Sequence, residues 1–440
     1  MRKSDITENP EAAKLLEENS FPLSAAADLT PLLERIGDAR VVMLGEASHG
    51  THEYYTWRAQ ISKRLIEEKG FSFIAVEGDW PDCYSINRYI KNYEPDTTEA
   101  RDVLQQFNRW PTWMWANWEI AALADWLKNY NRRDSVQKAG FYGLDVYSLW
   151  ESMQSILEYL EDNDPEAAKT AREAFSCFEP YREDEGQSYA IASRLVPELC
   201  EKEVVGLLEE IRRKMPDYDD DPESAFNAEQ NALVAVNAEK YYRAMVQGGG
   251  KSWNVRDTHM QETLERLLEL HGPESKAIVW AHNTHIGDAR ATNMARSGMH
   301  NIGELARKKF GEDNVVLIGF GSYSGTVIAG GSWGAPMDIM PVPNATSGSW
   351  EALLHKTFDG NRLILMDGLK KEKLFSEMTI GHRAIGVVYN PNLELLGNYV
   401  PSVLAKRYDA FIYLERTSAL HPLHLKIDKG KAPETWPFGV

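Results

Sequence analysis

Acidic and histidine side chains in this sequence gather directly after apolar stretches. The run 41–45 leads into Glu46-Ala47-Ser48-His49-Gly50, the run 71–76 into Glu77-Gly78-Asp79-Trp80, and the run 276–281 into His282-Asn283-Thr284-His285. Two carboxylates and three imidazoles in such positions make a set for general acid–base chemistry. Glu46 and His49 lie three apart in a Gly-bounded loop, so both can face one cleft. A carboxylate partner holds an imidazole in one tautomer and raises its basicity toward neutral pH, as a general base requires. His49 is therefore the candidate base; the alternative is a histidine capping the next helix with Glu46 ion-paired nearby. At Glu77, Gly78 lets the backbone turn sharply beside a ligand, while Asp79 suits a helix cap. His282 and His285 each qualify as a second acid–base group, an oxyanion donor or a metal ligand, and the sequence does not choose between them.

Arg58 and Arg256 could steady a developing oxyanion or bind a substrate carboxylate, against the alternative of structural ion pairs on helices. The cluster from Trp110 to Trp118, with Trp113 and Trp115 at its centre, could wall a large, amphipathic or sugar-bearing ligand, or pack as core. Ser48 adjoins His49 but lacks a Gly-x-Ser-x-Gly elbow, and is expected to help cap the following helix. No cysteine adjoins a histidine, so a thiolate nucleophile is unsupported and water is the expected nucleophile. The same carboxylates and imidazoles could instead bind zinc, manganese or iron and acidify a bound water, although no HExxH or Cys-rich pattern accompanies them. Gly319-Phe320-Gly321 and Gly330-Gly331 match neither a phosphate loop nor a dinucleotide fingerprint and are expected to form turns near the cleft. No cofactor and no metal is expected.

These side chains need a scaffold that brings strand ends together. Continuous apolar runs bounded by Gly and Asp suit strands covered on both faces, with each acid at the carboxyl edge of a parallel sheet, where open α/β sheets hold ligands. After His49, Tyr54, Trp57, Ile61 and Leu65 recur at helical spacing up to Lys69-Gly70, completing a strand–loop–helix–strand unit. Further strands are expected at 140–144 ahead of Asp145, then at 315–320, 326–329, 362–366, 384–388 and 410–414. Helices are expected at 152–162, 167–178, 201–214, 225–245 and 255–270, and the first forty residues should form short amphipathic pieces beside the first strand. The expected fold is α/β, a central mostly parallel sheet flanked by helices with a large helical insertion. Residues 1–150 and 271–440 would form the two parts of the core and 151–270 the helical lobe.

A hydrophobic share of 43% and a charged share of 26% in 440 residues fit a globular chain. The net charge of -18 disfavours nucleic acid and anionic membranes as partners, leaving a small-molecule substrate. No apolar segment is long enough to cross a bilayer and the N-terminus lacks a secretory core, so a cytoplasmic enzyme is expected. Cys83, Cys177 and Cys200 are odd in number and widely spaced, and are expected to be ordinary thiols. The acidic run 217–223 suggests a solvated loop without calcium-loop spacing.

Taken together, Gly45 to Gly50, the aromatic helix through Trp57-Arg58, Glu77-Gly78-Asp79 and Trp280 to His285 resemble the erythromycin esterase family, with order and context similar from about Leu29 to His421. The resemblance implies metal-independent hydrolysis of an ester, in the best-known members a macrolactone. It implies that His49 activates water with Glu46 as its partner, and that Glu77 and one of His282 and His285 complete the acid–base set. Arg58 and Arg256 match positions with weaker claims. Relatives named for succinoglycan biosynthesis make a saccharide-linked ester a second substrate class. Two alternatives remain at this point: a metal-dependent hydrolase built on the same cluster, and a non-catalytic binder of haem or another small molecule.

Overall fold

Short runs of Val, Ile, Leu, Met and Phe form the centre of the molecule, and every residue of the four site-bearing strands is buried. The computed structural model describes residues 9–93, 99–107, 109–134, 136–181, 187–193, 200, 205–206 and 222–423. Its strands are β1 (Ser20–Pro22), β2 (Val41–Leu44), β3 (Phe73–Val76), β4 (Gly140–Gly143), β5 (Ala277–Trp280), β6 (Val315–Gly330), β7 (Met337–Val342), β8 (Arg362–Leu365), β9 (Ile380–Arg383), β10 (Tyr399–Ser402) and β11 (Ala410–Thr417). The main sheet runs β1-β8-β11-β6-β2-β5-β3-β4, with β7 paired to the far part of β6, while β9 and β10 form a separate antiparallel pair. From β11 to β4 the pairing is parallel; β8 and β1 add an antiparallel margin. The expected α/β fold with a mostly parallel sheet is the one observed.

Alternation along the strands divides the apolar residues between two faces. Val42, Leu44, Ile74, Val76, Ile278 and Trp280 pack with Tyr54, Ile61 and Leu65 of the helix His52–Lys69. Val41, Met43, Phe73, Ala75, Ala277 and Val279 pack with Met260, Leu264 and Leu267 of the helix Lys251–Leu270 and with Ile302 and Ala306 of the helix Ile302–Phe310. Each fully buried aliphatic side chain contributes about 1.5–3 kcal/mol, so this double-sided core fixes the strands against slippage. The helix His52–Lys69 ends where Gly70 adopts the left-handed conformation at φ 67°. Between β4 and β5 the helices Leu149–Asn163, Pro165–Phe175, Gln187–Ala192 and Ser224–Met245 share a core of their own, with Ile156, Leu160, Phe175, Leu233 and Tyr241 among its members.

Several details depart from the sequence expectations. The runs 315–320 and 326–329 belong to one strand, β6, and Gly319 and Gly321 are not turns: a Cβ at either would stand 2.7 Å from the ring of Tyr408 or Phe411. The run 384–388 makes only isolated bridges, Ser48 with Ile385 and Gly330 with Val388, and the strand lies just before it in β9. β1, β7 and β10 were not expected. Cys177 and Cys200 are joined in a disulfide with a Cα separation of 5.9 Å, because lobe packing brings together residues 23 apart; Cys83 alone remains a buried thiol. The expected helix 201–214 and most of the acidic run 217–223 lie outside the described residues. Within that run Glu223 is not solvated: it bonds the ammonium of Lys91 and the amide of Asn87, the latter at 2.8 Å.

Candidate active site

Leu44, Trp280, Val76 and Gly143 stand in register across β2, β5, β3 and β4. The residues that follow them must therefore emerge side by side at one edge. β2 delivers Glu46 and His49, β5 delivers His282 and His285, β3 delivers Glu77, and β4 delivers Asp145. The structure thus brings all five expected acid–base residues together, and adds Asp145.

Glu46 uses both oxygens. Oε1 meets Nδ1 of His49 at 2.9 Å and Oε2 accepts from Nη2 of Arg58 at 2.6 Å. The Arg58 guanidinium lies over the rings of Tyr55 and Trp280 at 4.3 and 4.6 Å, and its Nε and Nη1 have no hydrogen-bond partner among the described residues. Cation–π contacts replace some of the solvation this buried cation has lost. Because Nδ1 of His49 is taken by Glu46, Nε2 is the nitrogen left to address a substrate. Burial works to lower the His49 pKa, but the hydrogen bond its Nδ1–H donates to Glu46 and the fields of Glu77 and Glu46 outweigh it, so the net shift is upward.

Glu77 is held on every side. Oε1 accepts from Nη2 of Arg256 at 2.6 Å and lies 3.4 Å from Nε2 of His285, and Oε2 accepts from the backbone N–H of His282 at 2.7 Å. Burial opposes its charge, yet His285, Arg256, His49 and that N–H together keep the carboxyl far below its usual range. Arg256 also grips Asp145 through Nε at 2.9 Å and Nη2 at 2.6 Å, and its Nη1 lies 3.0 Å from Nε2 of His285. His285 in turn directs Nδ1 to both oxygens of Asp257 at 3.0 Å and stacks on Trp253 at 4.4 Å.

His282 differs. As the cap of the short helix Asn283–Ile286 it accepts the Thr284 N–H on Nδ1 at 3.3 Å, with the Thr284 hydroxyl at 2.8 Å from the same atom. That places the proton of the neutral ring on Nε2, which is buried, makes no close hydrogen bond among the described residues and has the Ala47 carbonyl beside it. Burial, reinforced by His49, pushes the His282 pKa well down, so the ring stays neutral at neutral pH. Its centroid lies 5.0 Å from that of His49. Two histidines thus face each other with different properties, one basic and one neutral with a spare N–H.

The expected substrate contacts need correction. Arg58 and Arg256 are 0% and 1% exposed, with Arg58 donating to Glu46 and Arg256 to Glu77 and Asp145, so they brace the site. Trp113 and Trp115, each 1% exposed, are core rather than cleft wall. Trp115 still serves the site, because its Nε1 donates to the Glu77 carbonyl at 3.0 Å. Gly78 is required by that same indole, 2.7 Å from where a Cβ would lie, and not by a ligand. Asp79 begins the helix Trp80–Lys91 as expected, but its carboxylate accepts from Arg109 at 2.6 Å. The Ser48 hydroxyl bonds that of Thr51 in place of a helix N–H. Asp145, Asp257 and Thr284 were missed; Asp145 carried the same signal as Glu77, an acid closing an apolar run.

The erythromycin esterase family profile matches residues 66–417, most of the chain. The chain belongs to the erythromycin esterase family. The matched range holds Glu77, Asp145, Arg256, His282 and His285 and begins after Glu46 and His49. Within the family, an Escherichia coli protein named erythromycin esterase type II is 26% identical over 323 residues, covering 69% of this chain and 73% of that one. Among solved structures, one titled succinoglycan biosynthesis protein superposes with a TM-score of 0.76 at 20% identity, covering 97% and 99% of the two chains. An erythromycin esterase mutant in its open conformation superposes with a TM-score of 0.64 at 18% identity, covering 94% and 98%. Family membership supports hydrolase chemistry; the structural neighbours share the fold.

Proposed function

We propose that this protein is a carboxylic ester hydrolase in which His49 activates water, with no metal in the catalytic centre. The observation that carries this reading is the pair of facing histidines, His49 with Nε2 left for water and His282 with a spare Nε2–H. Nε2 of His49 takes a proton from water, and the hydroxide attacks the ester carbonyl. Nε2–H of His282 donates to the tetrahedral oxyanion, where a fixed donor is more effective than solvent. Collapse expels the alkoxide, which takes back the proton held by His49 and leaves the carboxylic acid. Glu46 fixes the His49 tautomer, while Glu77, locked and ionised, holds the His282 backbone and sustains the basicity of His49. His285, engaged on both nitrogens, acts through Arg256 and Glu77 rather than on substrate. The names of family members favour a macrolactone or a sugar-linked ester as substrate.

The test is incubation with macrolides and with simple and sugar-linked esters, with and without chelator, watching for a mass gain of one water. Turnover that persists with chelator and disappears in His49→Ala is expected. His282→Ala should lose about 10²–10³ in kcat, the size of losing one oxyanion donor. Turnover that needs added metal, or that survives in His49→Ala, would refute the reading.

A further inference from the structure

On the far side of the His49 loop lies a second histidine–carboxylate group that the esterase chemistry does not use. His52 opens the helix His52–Lys69, Glu119 lies in the first turn of the helix Trp118–Asn131, and His421 follows β11. Both histidines direct Nδ1 at one atom, Oε1 of Glu119, at 2.5 Å from His52 and 2.7 Å from His421. The two rings meet edge to face with centroids 5.1 Å apart. Oε2 of Glu119 is buried and has no partner among the described residues. Two donors crowding one oxygen while the other buried oxygen has none is a poor arrangement for hydrogen bonding alone. It suits a shared cation.

The backbone fixes these positions without help from the three side chains. Thr51 bridges Ala419 and Asn117 bridges Pro422. The His52 N–H donates to the Ser418 carbonyl at 2.9 Å, the Leu420 N–H to the Gly50 carbonyl at 3.1 Å, and the Trp118 N–H to the His421 carbonyl at 3.0 Å. One ligand atom from each of the three residues falls within 4.8 Å of the others. A pair of neutral imidazoles with one carboxylate is a zinc-class donor set, and it lacks the oxygen-rich coordination that calcium and magnesium require. His421 is 61% exposed and His52 33%, so an ion can enter from solvent and keep water in its remaining positions.

We propose that His52, Glu119 and His421 form a zinc-class metal site outside the catalytic centre. The ion takes the place of the protons the imidazoles share with Glu119. It ties the 417–423 strap to the loop carrying His49 and to the segment whose Trp115 holds the Glu77 carbonyl. The chemistry at His49 needs no electron or proton from it.

Full-length protein stripped with chelator and dialysed is titrated with zinc chloride against a chromogenic chelator, and its melting is followed with and without zinc. One equivalent of binding and a rise in melting temperature are expected. His421→Ala, at an exposed position, should keep the melting temperature of the zinc-free protein, lose the zinc-induced rise and weaken affinity on the order of tenfold or more. Glu119→Gln should weaken it likewise, and His49→Ala should bind zinc as the parent does. No stoichiometric binding, unchanged affinity in both His421→Ala and Glu119→Gln, or loss of binding in His49→Ala would overturn the proposal; the last outcome would move the ion to the catalytic centre.

Discussion

Glu46 shares its two oxygens between a base and a buried cation, so replacing it has two separable effects. The His49 pKa is raised above 6.5, and the base form accumulates as pH rises through that value, so the acid limb of kcat/KM should lie above pH 6.5. Glu46→Gln removes the carboxylate charge that raises it. The limb should move to lower pH, with kcat falling on the order of 10²-fold as His49 loses basicity and a fixed tautomer. The same substitution strips Arg58 of the carboxylate it donates to, and an uncompensated buried cation costs about 3–5 kcal/mol, so the unfolding midpoint should drop as well. A pH–rate profile with an unmoved limb would detach Glu46 from the basicity of His49. The pairing of Glu46 with His49 was legible because residues three apart in one loop are local. The division of labour between His282 and His285 was not: it depends on Asp257 and Arg256 occupying both nitrogens of one ring, contacts that arise only when the helix Lys251–Leu270 docks on the sheet.

The strands that carry the site were readable as elements because burial on both faces demands unbroken apolar runs. β1 and β7 escaped notice for the opposite reason. β1 has three residues, largely exposed, and β7 is interrupted by Asp338 and Pro341 and exposed along much of its length, so each takes its identity from the strand it pairs with. The Cys177–Cys200 link was invisible on similar grounds, since no spacing rule relates cysteines 23 residues apart in separate parts of a helical lobe. Thiol titration in denaturant checks it: one thiol, from Cys83, should react before reduction and three after. Closing a loop of that length stabilises the lobe by about 3 kcal/mol, so Cys177→Ala should lower the unfolding midpoint of the oxidised protein and leave the reduced protein nearly unaffected.

Several histidines buried in neutral form make the whole molecule sensitive to acid. Burial lowers His259 and His271 to about 4, with Lys91 adding to the effect at His271. Burial also moves His282 and His382 down. The unfolded chain binds protons at these rings below about pH 6.5 and the folded chain does not, so stability is lost as pH falls from there toward the folded values. His259 and His271 should each cost roughly 2 kcal/mol between pH 6.5 and 5. His49 acts with the opposite sign, since its raised pKa contributes stability at low pH that fades as pH rises through the folded value. Below about pH 4.5 the carboxylates of Glu77, Glu351 and Glu223, held down by cationic partners against the effect of burial, add a second loss. Urea denaturation from pH 7 to 4 should show a falling midpoint that begins above pH 5; a flat profile to pH 5 would refute this. A different consequence comes from the order of the sheet. β11 lies between β6 and β8, inside the sheet, yet it is the last of the described strands to leave the ribosome. Until it emerges, β6 and β8 present unpaired backbone, the kind of edge that recruits other chains. Synthesis of this protein therefore passes through a window in which the site-bearing strands are already made while the nascent chain is most prone to aggregate.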